Sequence, residues 1–323
     1  MRDVVSGAAH DVVVVGELNA DIILRGDVVP SFGQVEKVVD DLDLCAGSSS
    51  AIFAASAARM GLRVRFISKV GDDLLGHYLL GELDSVGLSP EHVIVDPSVK
   101  TGATVHLSTG QDRAMLTYLG SMAAITASDL PSDWLESVRH LHVASPFLLQ
   151  ELRPHMPTMM RQAREAGLSV SLDTNWDPAE GWYLGGFFDD LDLFLPNEQE
   201  LLAITGESDL MSGLRTALQL VPLVVVKRGE RGALAATETE LVEVPAYDVS
   251  VVDTTGAGDT FDGGFVAGWL REEPLEQCLA LGSACGALTS THAGGFHGQP
   301  TWDEASALVE AEARRATAAA EDG

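Results

Sequence analysis

Two continuous runs of apolar, mostly β-branched residues constrain the fold of this 323-residue chain more than any other feature. They are VVVV at residues 12–15 and LVVV at residues 223–226. An unbroken apolar run of this length is typical of a strand buried on both faces, as in a parallel sheet. Helical stretches of ten or more residues alternate with such strands, which indicates an α/β fold: a mostly parallel central sheet with helices on both faces.

Two segments interrupt this order. Residues of about 17–45 and 101–120 alternate apolar and polar positions, and the second contains the turn-like pair Gln111-Asp112. Alternation predicts strands with one solvated face, so we expect these segments to form a small separate sheet, a lid over the main one. We expect one domain over residues 11–310, with terminal extensions at residues 1–10 and 311–323.

Charge and cysteine content exclude several classes of protein. The formal net charge is −28, whereas nucleic acids and anionic membranes attract a positive surface, so we expect neither as a partner. The three cysteines form no CxxC pair, which argues against a disulfide framework or a zinc site and favours a reducing compartment. Because no signal peptide or 18-residue apolar span is apparent, we expect a cytoplasmic protein.

The stretch DTTGAGDTFDGGFVAG at residues 253–268 is the richest in chemistry. We expect YDVSVV before it to be a strand and the residues after Gly258 to be a helix. The small residues of the turn let backbone amides converge at the helix N-terminus, where they can bind an anion. Asp259 in the first helical turn could then accept a proton from an attacking hydroxyl, or could simply complement the helix dipole.

Polar residues follow three other predicted strands. Asn197 and Glu200 begin a helix, where they could hold Mg²⁺ through water or serve only as helix-start residues. Lys227 ends a buried strand and could meet a nucleotide phosphate or be a solvated turn charge. Asp173 and Asn175 end another strand, after which we expect a short helix.

Near the N-terminus, Asn19 and Asp21 lie two residues apart, so on an extended segment they face the same side. Two hydrogen-bonding side chains on one face could bind sugar hydroxyls. The alternative is the solvated face of an edge strand.

Three motifs in the right order resemble a known family. DTTGAGDTFDGG closely resembles the C-terminal signature of the ribokinase-like (PfkB-type) carbohydrate kinases, and PNEQE at residues 196–200 resembles their Asn-x-x-Glu motif. AGSSSAIFAASAARMG at residues 46–61 resembles their N-terminal Gly-Gly signature. The similarity covers roughly residues 11–310 and implies a ribokinase-like fold with a β lid.

The resemblance implies roles in phosphoryl transfer. Asp259 matches the general base, and Gly256, Ala257 and Gly258 match the amides that stabilise the transferred charge. Glu200 matches the residue that organises Mg²⁺ through water. The positions matched to nucleotide and phosphate contacts are Asn197, Glu200, Lys227, Arg228, Gly229, Gly232 and Gly258.

The resemblance also implies cofactors and a sugar site. ATP and Mg²⁺ are expected, and K⁺ is expected at Asp253 and Thr255 with the loop from Ala293 to Gly295. The substrate-binding positions are Asn19, Asp21, Gly47, Ser48 and Asp259.

The first signature departs from the family pattern. Either Ala46 or Ser48 replaces one glycine of the pair, and the usual sugar-binding Asn is Ala51 or Ile52. The departure leaves the phosphate chemistry in place and puts the identity of the sugar in question.

The function expected is ATP-dependent phosphorylation of a small neutral sugar, because only Arg25 and Arg113 on the sugar side could hold an acid. A nucleoside kinase is an alternative, with Phe53, Tyr118 and Phe147 as candidates for stacking. A sugar-acid kinase of keto-deoxygluconate type and a non-catalytic sugar-binding regulator are the others. Exposed lid strands can pair, which suggests a homodimer.

Overall fold

The computed structural model describes residues 10–109 and 113–321, with side chains as far as residue 315. The described strands are β1 Val12–Val15, β2 Asn19–Arg25, β3 Asp41–Ala46, β4 Val64–Gly71, β5 Val93–Asp96, β6 Gly102–Ser108, β7 Arg113–Tyr118, β8 His140–Ala144, β9 Ser169–Asp173, β10 Leu193–Phe194, β11 Leu223–Lys227, β12 Ala233–Ala236 and β13 Leu241–Val244. The described α-helices are α1 Ser49–Arg59, α2 Leu74–Ser85, α3 Ser121–Ala124, α4 Met156–Glu165, α5 Glu198–Thr205, α6 Leu210–Ala217, α7 Ala257–Leu270, α8 Leu275–Thr289 and α9 Trp302–Glu321.

The main sheet has the strand order β13-β12-β11-β10-β9-β8-β1-β4-β5. The strands from β11 to β5 in this order are parallel, and β12 and β13 close one edge in antiparallel pairing. The chain leaves β1 toward β4 on one side and returns to β8 on the other. Such a reversal of strand order is where open α/β sheets bind ligands, beyond the carboxyl ends of the strands.

Each face of this sheet carries its own apolar core. Val12 and Val14 of β1 belong to one core with α1, α7 and α8, and Val13 and Val15 belong to the other with α4. All four side chains are at most 1% exposed. The continuous valine run follows from this arrangement, because alternate side chains of one strand fill both cores.

A second, four-stranded sheet has the order β3-β2-β6-β7, and we call it the lid sheet. It comprises the two segments in which a small separate sheet was predicted, and that prediction is confirmed. Apolar side chains on its outer face are about half exposed, among them Leu42, Leu116 and Tyr118. Pairing of two copies through this sheet stays a prediction.

Three local predictions are wrong or incomplete. Residues 247–252 form no strand, and Val251 and Val252 are 60% and 65% exposed. The short helix expected after Asn175 is a series of turns. Helix α6 and strand β5 were not anticipated. The hairpin pair Gln111-Asp112 and residues 1–9 of the N-terminal extension lie outside the described residues.

The C-terminal extension expected from residue 311 is part of helix α9. Helix α9 runs from residue 302 to 321, so no break in structure marks the boundary expected at residue 310. Among the helices of the described ranges, none is both long and apolar enough to cross a membrane.

We predict that Phe265→Ala lowers the free energy of unfolding by about 3–5 kcal/mol, because Phe265 of α7 is fully buried and its loss leaves a cavity. The matched control is Phe32→Ala, since Phe32 is 97% exposed and its removal should cost less than about 0.5 kcal/mol. Urea unfolding curves of the two variants measure the difference. Equal midpoints would contradict the packing described here.

Candidate active site

The glycine turn before α7 is built by close backbone packing. Gly256 is the N-cap of α7 with φ 71°, and a Cβ there would lie 2.7 Å from Gly295 Cα. The amide of Ala257 donates to the Thr254 carbonyl at 3.2 Å and closes the turn. The first turn of a helix leaves amides without intrahelical acceptors. Here these are the amides of Gly258 and Asp259, and we call this pair, which could bind an anion, the anion hole. The Ala257 amide, expected to be one of the anion-binding amides, already has an acceptor.

Asp259 follows directly and is buried, with 8% of its surface exposed. Its Oδ1 accepts a hydrogen bond from Asn175 Nδ2 at 3.1 Å, and Ser49 at the start of α1 is a second hydrogen-bonding partner. Burial, followed by the nearby charge of Asp173, raises the pKa of Asp259 to about 7. A carboxylate with this pKa can both accept and release a proton near neutral pH.

Two strained residues position the Asn175 amide. Asn175 has φ 49° and Ser145 has φ 46°, both in the left-handed region. The Ser145 backbone N–H and hydroxyl donate to Asn175 Oδ1 at 3.0 and 2.9 Å. Because Asn175 Oδ1 accepts both bonds, its Nδ2 is directed at Asp259. Strain of this kind persists where the surroundings over-determine it, often at functional sites.

A buried ion cluster lies beneath the turn. Lys227 Nζ contacts Asp173 Oδ2 at 2.6 Å and Asp262 Oδ2 at 2.9 Å, and its side chain is 12% exposed. Burial alone would lower the pKa of Lys227, but the two carboxylates raise it well above its usual range. The alternative that Lys227 is a solvated turn charge is therefore wrong. A Cβ on Gly258 would lie 3.7 Å from Nζ, so the ammonium lies next to the turn that precedes α7.

Asn197 and Glu200 form a capping box at the start of α5. Asn197 Oδ1 accepts from the Glu200 amide at 2.9 Å, and Glu200 accepts from the Asn197 amide at 2.9 Å and its Nδ2 at 2.7 Å. Burial, followed by the charge of Asp173, raises the pKa of Glu200 to about 7. Asn197 and Glu200 therefore do serve as helix-start residues. Their capping box also holds the Glu200 carboxyl group close to Asp173 and Lys227.

The oxygen donors fit a hard divalent cation only in part. Within the described ranges, no three His, Cys, Asp or Glu side chains are arranged to hold a metal ion by themselves. Both oxygens of Glu200 already accept hydrogen bonds, so contact through water fits better than direct ligation. Mg²⁺ suits such a site because it keeps several waters and needs few protein ligands.

Asp253 holds together the two loops of the expected monovalent-cation site. Its Oδ1 accepts from the Thr255 amide and hydroxyl at 2.9 and 2.7 Å, and its Oδ2 accepts from the Gly294 amide at 3.1 Å. Burial would raise the pKa of Asp253, but these hydrogen bonds lower it. Arg113 of the lid sheet donates to the Thr255 hydroxyl at 2.9 Å and so joins the lid to this turn.

Asn19 and Asp21 lie side by side on the inner face of the lid sheet. Asn19 Nδ2 donates to Asp21 Oδ1 at 2.8 Å, and His106 Nε2 lies 3.2 Å from Asp21 Oδ2. Both residues are at most 6% exposed, so the alternative of a solvated edge-strand face is wrong. A Cβ on Gly47 would lie 2.3 Å from the Asp21 carboxyl group, which explains the glycine at this position.

Other residues of the N-terminal signature have structural roles. The Ser48 hydroxyl donates to the Glu17 carbonyl and accepts from the Ala51 amide as the N-cap of α1. Ala51 and Ile52 are at most 3% exposed and belong to the core. Neither replacement of the family's Asn therefore offers a polar atom to a sugar.

A cavity of about 380 Å³ lies between the ends of β11 and helices α7 and α8. Four of the expected nucleotide-site residues line it: Lys227, Arg228, Gly229 and Gly232. Arg228 is paired with Glu243, so it is held at the rim by a carboxylate. Gly258 and Phe261 of α7 line the same cavity, which places it beside the anion hole.

The sequence analysis missed four residues of this site. Ser49 and Ser145 position Asp259 directly or through Asn175, and Asp262 pairs with Lys227. Glu17 is 1% exposed and accepts from the Ser50 hydroxyl and amide. Burial raises the pKa of Glu17. Only Asp262 could have been found from the sequence, because it follows Asp259 by three residues and so lies on the same side of the helix.

Comparisons with known proteins identify the family. The chain matches the pfkB family carbohydrate kinase over residues 9–302. It is 31% identical to the ATP-dependent ribose-1-phosphate kinase of Halopiger xanaduensis, with 91% of this chain and 96% of the relative covered. It is 30% identical to fructokinase-2 of Solanum lycopersicum, with 81% and 86% covered.

A solved structure shares the fold. Ribokinase of Arabidopsis thaliana, complexed with ribose and ATP, is 23% identical and superposes with a TM-score of 0.80, covering 93% of this chain and 99% of that one. The expected ribokinase-like fold, with its mostly parallel sheet and β lid, is therefore confirmed. With the family match across the main sheet, lid and glycine turn, the chain belongs to the pfkB family of carbohydrate kinases.

Proposed function

We propose that the protein transfers the γ-phosphoryl group of ATP to a hydroxyl of a small neutral sugar, a pentose or hexose. The observation that carries the proposal is a buried carboxyl group, Asp259, one residue after a glycine turn whose amides form an anion hole. A carboxylate beside a phosphate site repels the substrate unless it takes the proton of the attacking hydroxyl. The general base and the anion hole therefore support one reaction.

In the proposed reaction the acceptor hydroxyl attacks the γ-phosphorus while Asp259 accepts its proton. The new O–P bond forms as the bond from the γ-phosphorus to the bridging oxygen of ADP breaks. The amides of Gly258 and Asp259 donate to the phosphoryl oxygens, where negative charge is concentrated. Lys227 lines the same cavity and adds positive charge next to these amides.

ATP would occupy the cavity between β11, α7 and α8, with its phosphates toward Gly258. Glu200 and Asn197 would hold the waters of Mg²⁺. When bound, Mg²⁺ neutralises charge on the β- and γ-phosphates. Asp173 raises the pKa of both Glu200 and Asp259. The proposed base and the proposed Mg²⁺ site therefore belong to one buried cluster.

The charges of the lid sheet support a neutral acceptor. Arg25 is already paired with Asp41 and Asp43, and Arg113 is bound to Thr255. The carboxyl group of Asp21 suits hydroxyl donors and repels an acid. A sugar acid would need a cationic partner, and Arg25 is neutralised by two carboxylates while Arg113 is held by Thr255 near the charge of Asp253.

We predict that Asp259→Asn lowers kcat by about 10²–10⁴ because it removes the general base and keeps the shape of the side chain. ADP release would be measured with ribose, fructose, a deoxy sugar, ribose 1-phosphate and a keto-deoxy acid. Asp84→Asn, an exposed residue at the end of α2, is the control and should keep full activity.

A retained activity above about a tenth in Asp259→Asn would exclude Asp259 as the base. A kcat/KM highest for the phosphate ester or the acid would contradict the neutral acceptor and leave the phosphoryl-transfer chemistry in place. No ADP release with any acceptor would contradict the proposed function itself.

The pH dependence follows from the raised pKa of Asp259. The base must be deprotonated, so kcat/KM should fall about tenfold per pH unit below about pH 7. Asp173→Asn removes a negative charge that raises this pKa, while Lys227 keeps its contact with Asp262, so the acid limb should move to lower pH. If the acid limb of the Asp173→Asn profile stays at the same pH, a group other than Asp259 controls the pH dependence. Asp84→Asn serves again as the control.

We further expect activity to be lost on chelation of Mg²⁺ and to be higher in K⁺ than in Na⁺. A charged Asp253 and the Thr255 carbonyl give the loop pocket the oxygen donors that K⁺ requires. Asp253→Asn keeps the shape of the carboxyl group and removes its charge, so it should abolish the preference for K⁺. Initial rates at constant ionic strength test this. Equal rates in K⁺, in Na⁺ and without either would eliminate the monovalent site.

A further inference from the structure

The buried carboxyl group of Glu17 has no role in the reaction described above. Glu17 lies two residues after β1 and is 1% exposed. Its Oε2 accepts from the Ser50 hydroxyl at 2.5 Å, and its Oε1 accepts from the Ser50 amide at 3.2 Å. The side chain of Ser145 is a further hydrogen-bonding partner. An ionised carboxyl group is costly to bury, so this environment favours the neutral acid.

Glu17 begins a row of hydrogen bonds that crosses the main sheet. Strands β1, β8 and β9 are neighbours in the sheet, and Glu17, Ser145 and Asn175 follow their carboxyl ends in that order. The Ser145 hydroxyl donates to Asn175 Oδ1 at 2.9 Å, and Asn175 Nδ2 donates to Asp259 Oδ1 at 3.1 Å. The row therefore connects a carboxyl group beside β1 to the proposed base on α7.

The direction of this row depends on a single hydrogen atom. A serine hydroxyl has one hydrogen to donate, and that of Ser145 is directed at Asn175. Its contact with Glu17 then needs a hydrogen from the carboxyl group, so Glu17 is the neutral acid in this arrangement. Burial favours the same form, since it raises the pKa of Glu17. An ionised Glu17 would instead accept the Ser145 hydrogen and leave the side-chain oxygens of Ser145 and Asn175 facing each other.

The orientation of Asn175 matters because an amide side chain can point either its oxygen or its nitrogen at Asp259. With Oδ1 held by Ser145, Nδ2 faces the base, whereas a rotated amide would place an oxygen against a carboxylate. Burial and the charge of Asp173 raise the pKa of Asp259, while Lys227 and the Asn175 hydrogen bond lower it. The row therefore affects both the position and the basicity of Asp259.

We propose that Glu17, in its protonated form, is a positioning residue for the general base. It holds the Ser145 hydroxyl toward Asn175 and thereby keeps the Asn175 amide on Asp259. The proposal rests on the proposed function, in which Asp259 accepts the proton of the acceptor hydroxyl. Because Glu17 acts through Ser145 and Asn175, its loss should lower kcat and leave the KM values for ATP and the sugar unchanged.

Assays of ADP release with the best neutral acceptor compare three variants. Glu17→Met keeps the length of the side chain and removes its polar atoms, so misorientation of the base should lower kcat by about 10- to 100-fold. Glu17→Gln can donate to Ser145 as the neutral acid does and should restore most of this loss. Asp11→Asn is the matched control, because Asp11 is a buried carboxyl group at the opposite end of β1, paired with Arg63 and Arg139. It should change neither kcat nor KM.

The pH profile separates positioning from a general loss of structure. Loss of the Asn175 hydrogen bond raises the pKa of Asp259, so the acid limb of kcat/KM in Glu17→Met should move about 0.5–1 pH unit higher. A variant that is merely less stable keeps the acid limb of the unaltered protein. All these variants retain the charged neighbours of Asp259: Asp173, Lys227 and Glu200.

A double-mutant cycle tests the connection through Ser145. Ser145→Ala should lower kcat and move the acid limb as Glu17→Met does, so it carries both predictions even if Glu17→Met fails to fold. The double variant should lose no more than either single variant, because both changes interrupt the same row. Losses that multiply would show two independent roles and overturn the proposal.

Infrared spectroscopy at pH 7 tests the protonation state apart from turnover. Exposed carboxyl groups are ionised at this pH, so a protonated Glu17 contributes a neutral-acid carbonyl band that Glu17→Gln should lack. Identical bands overturn the proposal, as does a Glu17→Gln variant as slow as Glu17→Met. Unaltered kcat in Glu17→Met also overturns it and leaves the proposed function intact. If the unaltered protein releases no ADP with any acceptor, the proposed function fails, and this proposal fails with it.

Discussion

The ion cluster of Lys227, Asp173 and Asp262 is the interaction on which the rest of the site depends. It joins the ends of β9 and β11 to the start of α7, close to Gly258. Removing one partner from such a buried group typically costs about 3–5 kcal/mol, because it leaves an uncompensated charge. The position of Asp259 is therefore set by electrostatics as well as by helix packing.

The same cluster sets the chemistry of its neighbours. Asp173 raises the pKa of both Asp259 and Glu200, in each case after burial, and Lys227 opposes the shift. A single ammonium group thus faces more carboxyl groups than it can neutralise. The excess negative charge favours the protonated forms of Asp259 and Glu200, and it would also favour an added cation.

Much of the fold was predictable because its signals are local. The valine run of β1 gave a buried parallel strand, and the alternation around Asp21 gave a separate lid sheet, both confirmed. The strand expected at residues 247–252 failed because alternating apolar residues there line a cavity instead of pairing with a neighbour. The periodicity of apolar residues indicates which side chains face away from water, but it does not indicate what packs against them.

The candidate site was predictable where a motif carried it and not where distant segments meet. Asp259 and the glycine turn stand in one short stretch, so spacing alone pointed to them. Ser145 and Asn175 come together only because β8 and β9 are neighbours in the sheet, and no sequence pattern links them. Asp262 stands in the same short stretch as Asp259, but its ion pair depends on Lys227 from a distant strand.

The left-handed backbone of Asn175 limits what evolution can change here. Glycine would adopt this conformation without strain but would lose the amide that orients Asp259, whereas most other residues would lose the amide and keep the strain. The neighbouring Trp176 carries no such restriction. The side chain at position 176 could therefore change over time while the contact between Asn175 and Asp259 stayed fixed one residue away.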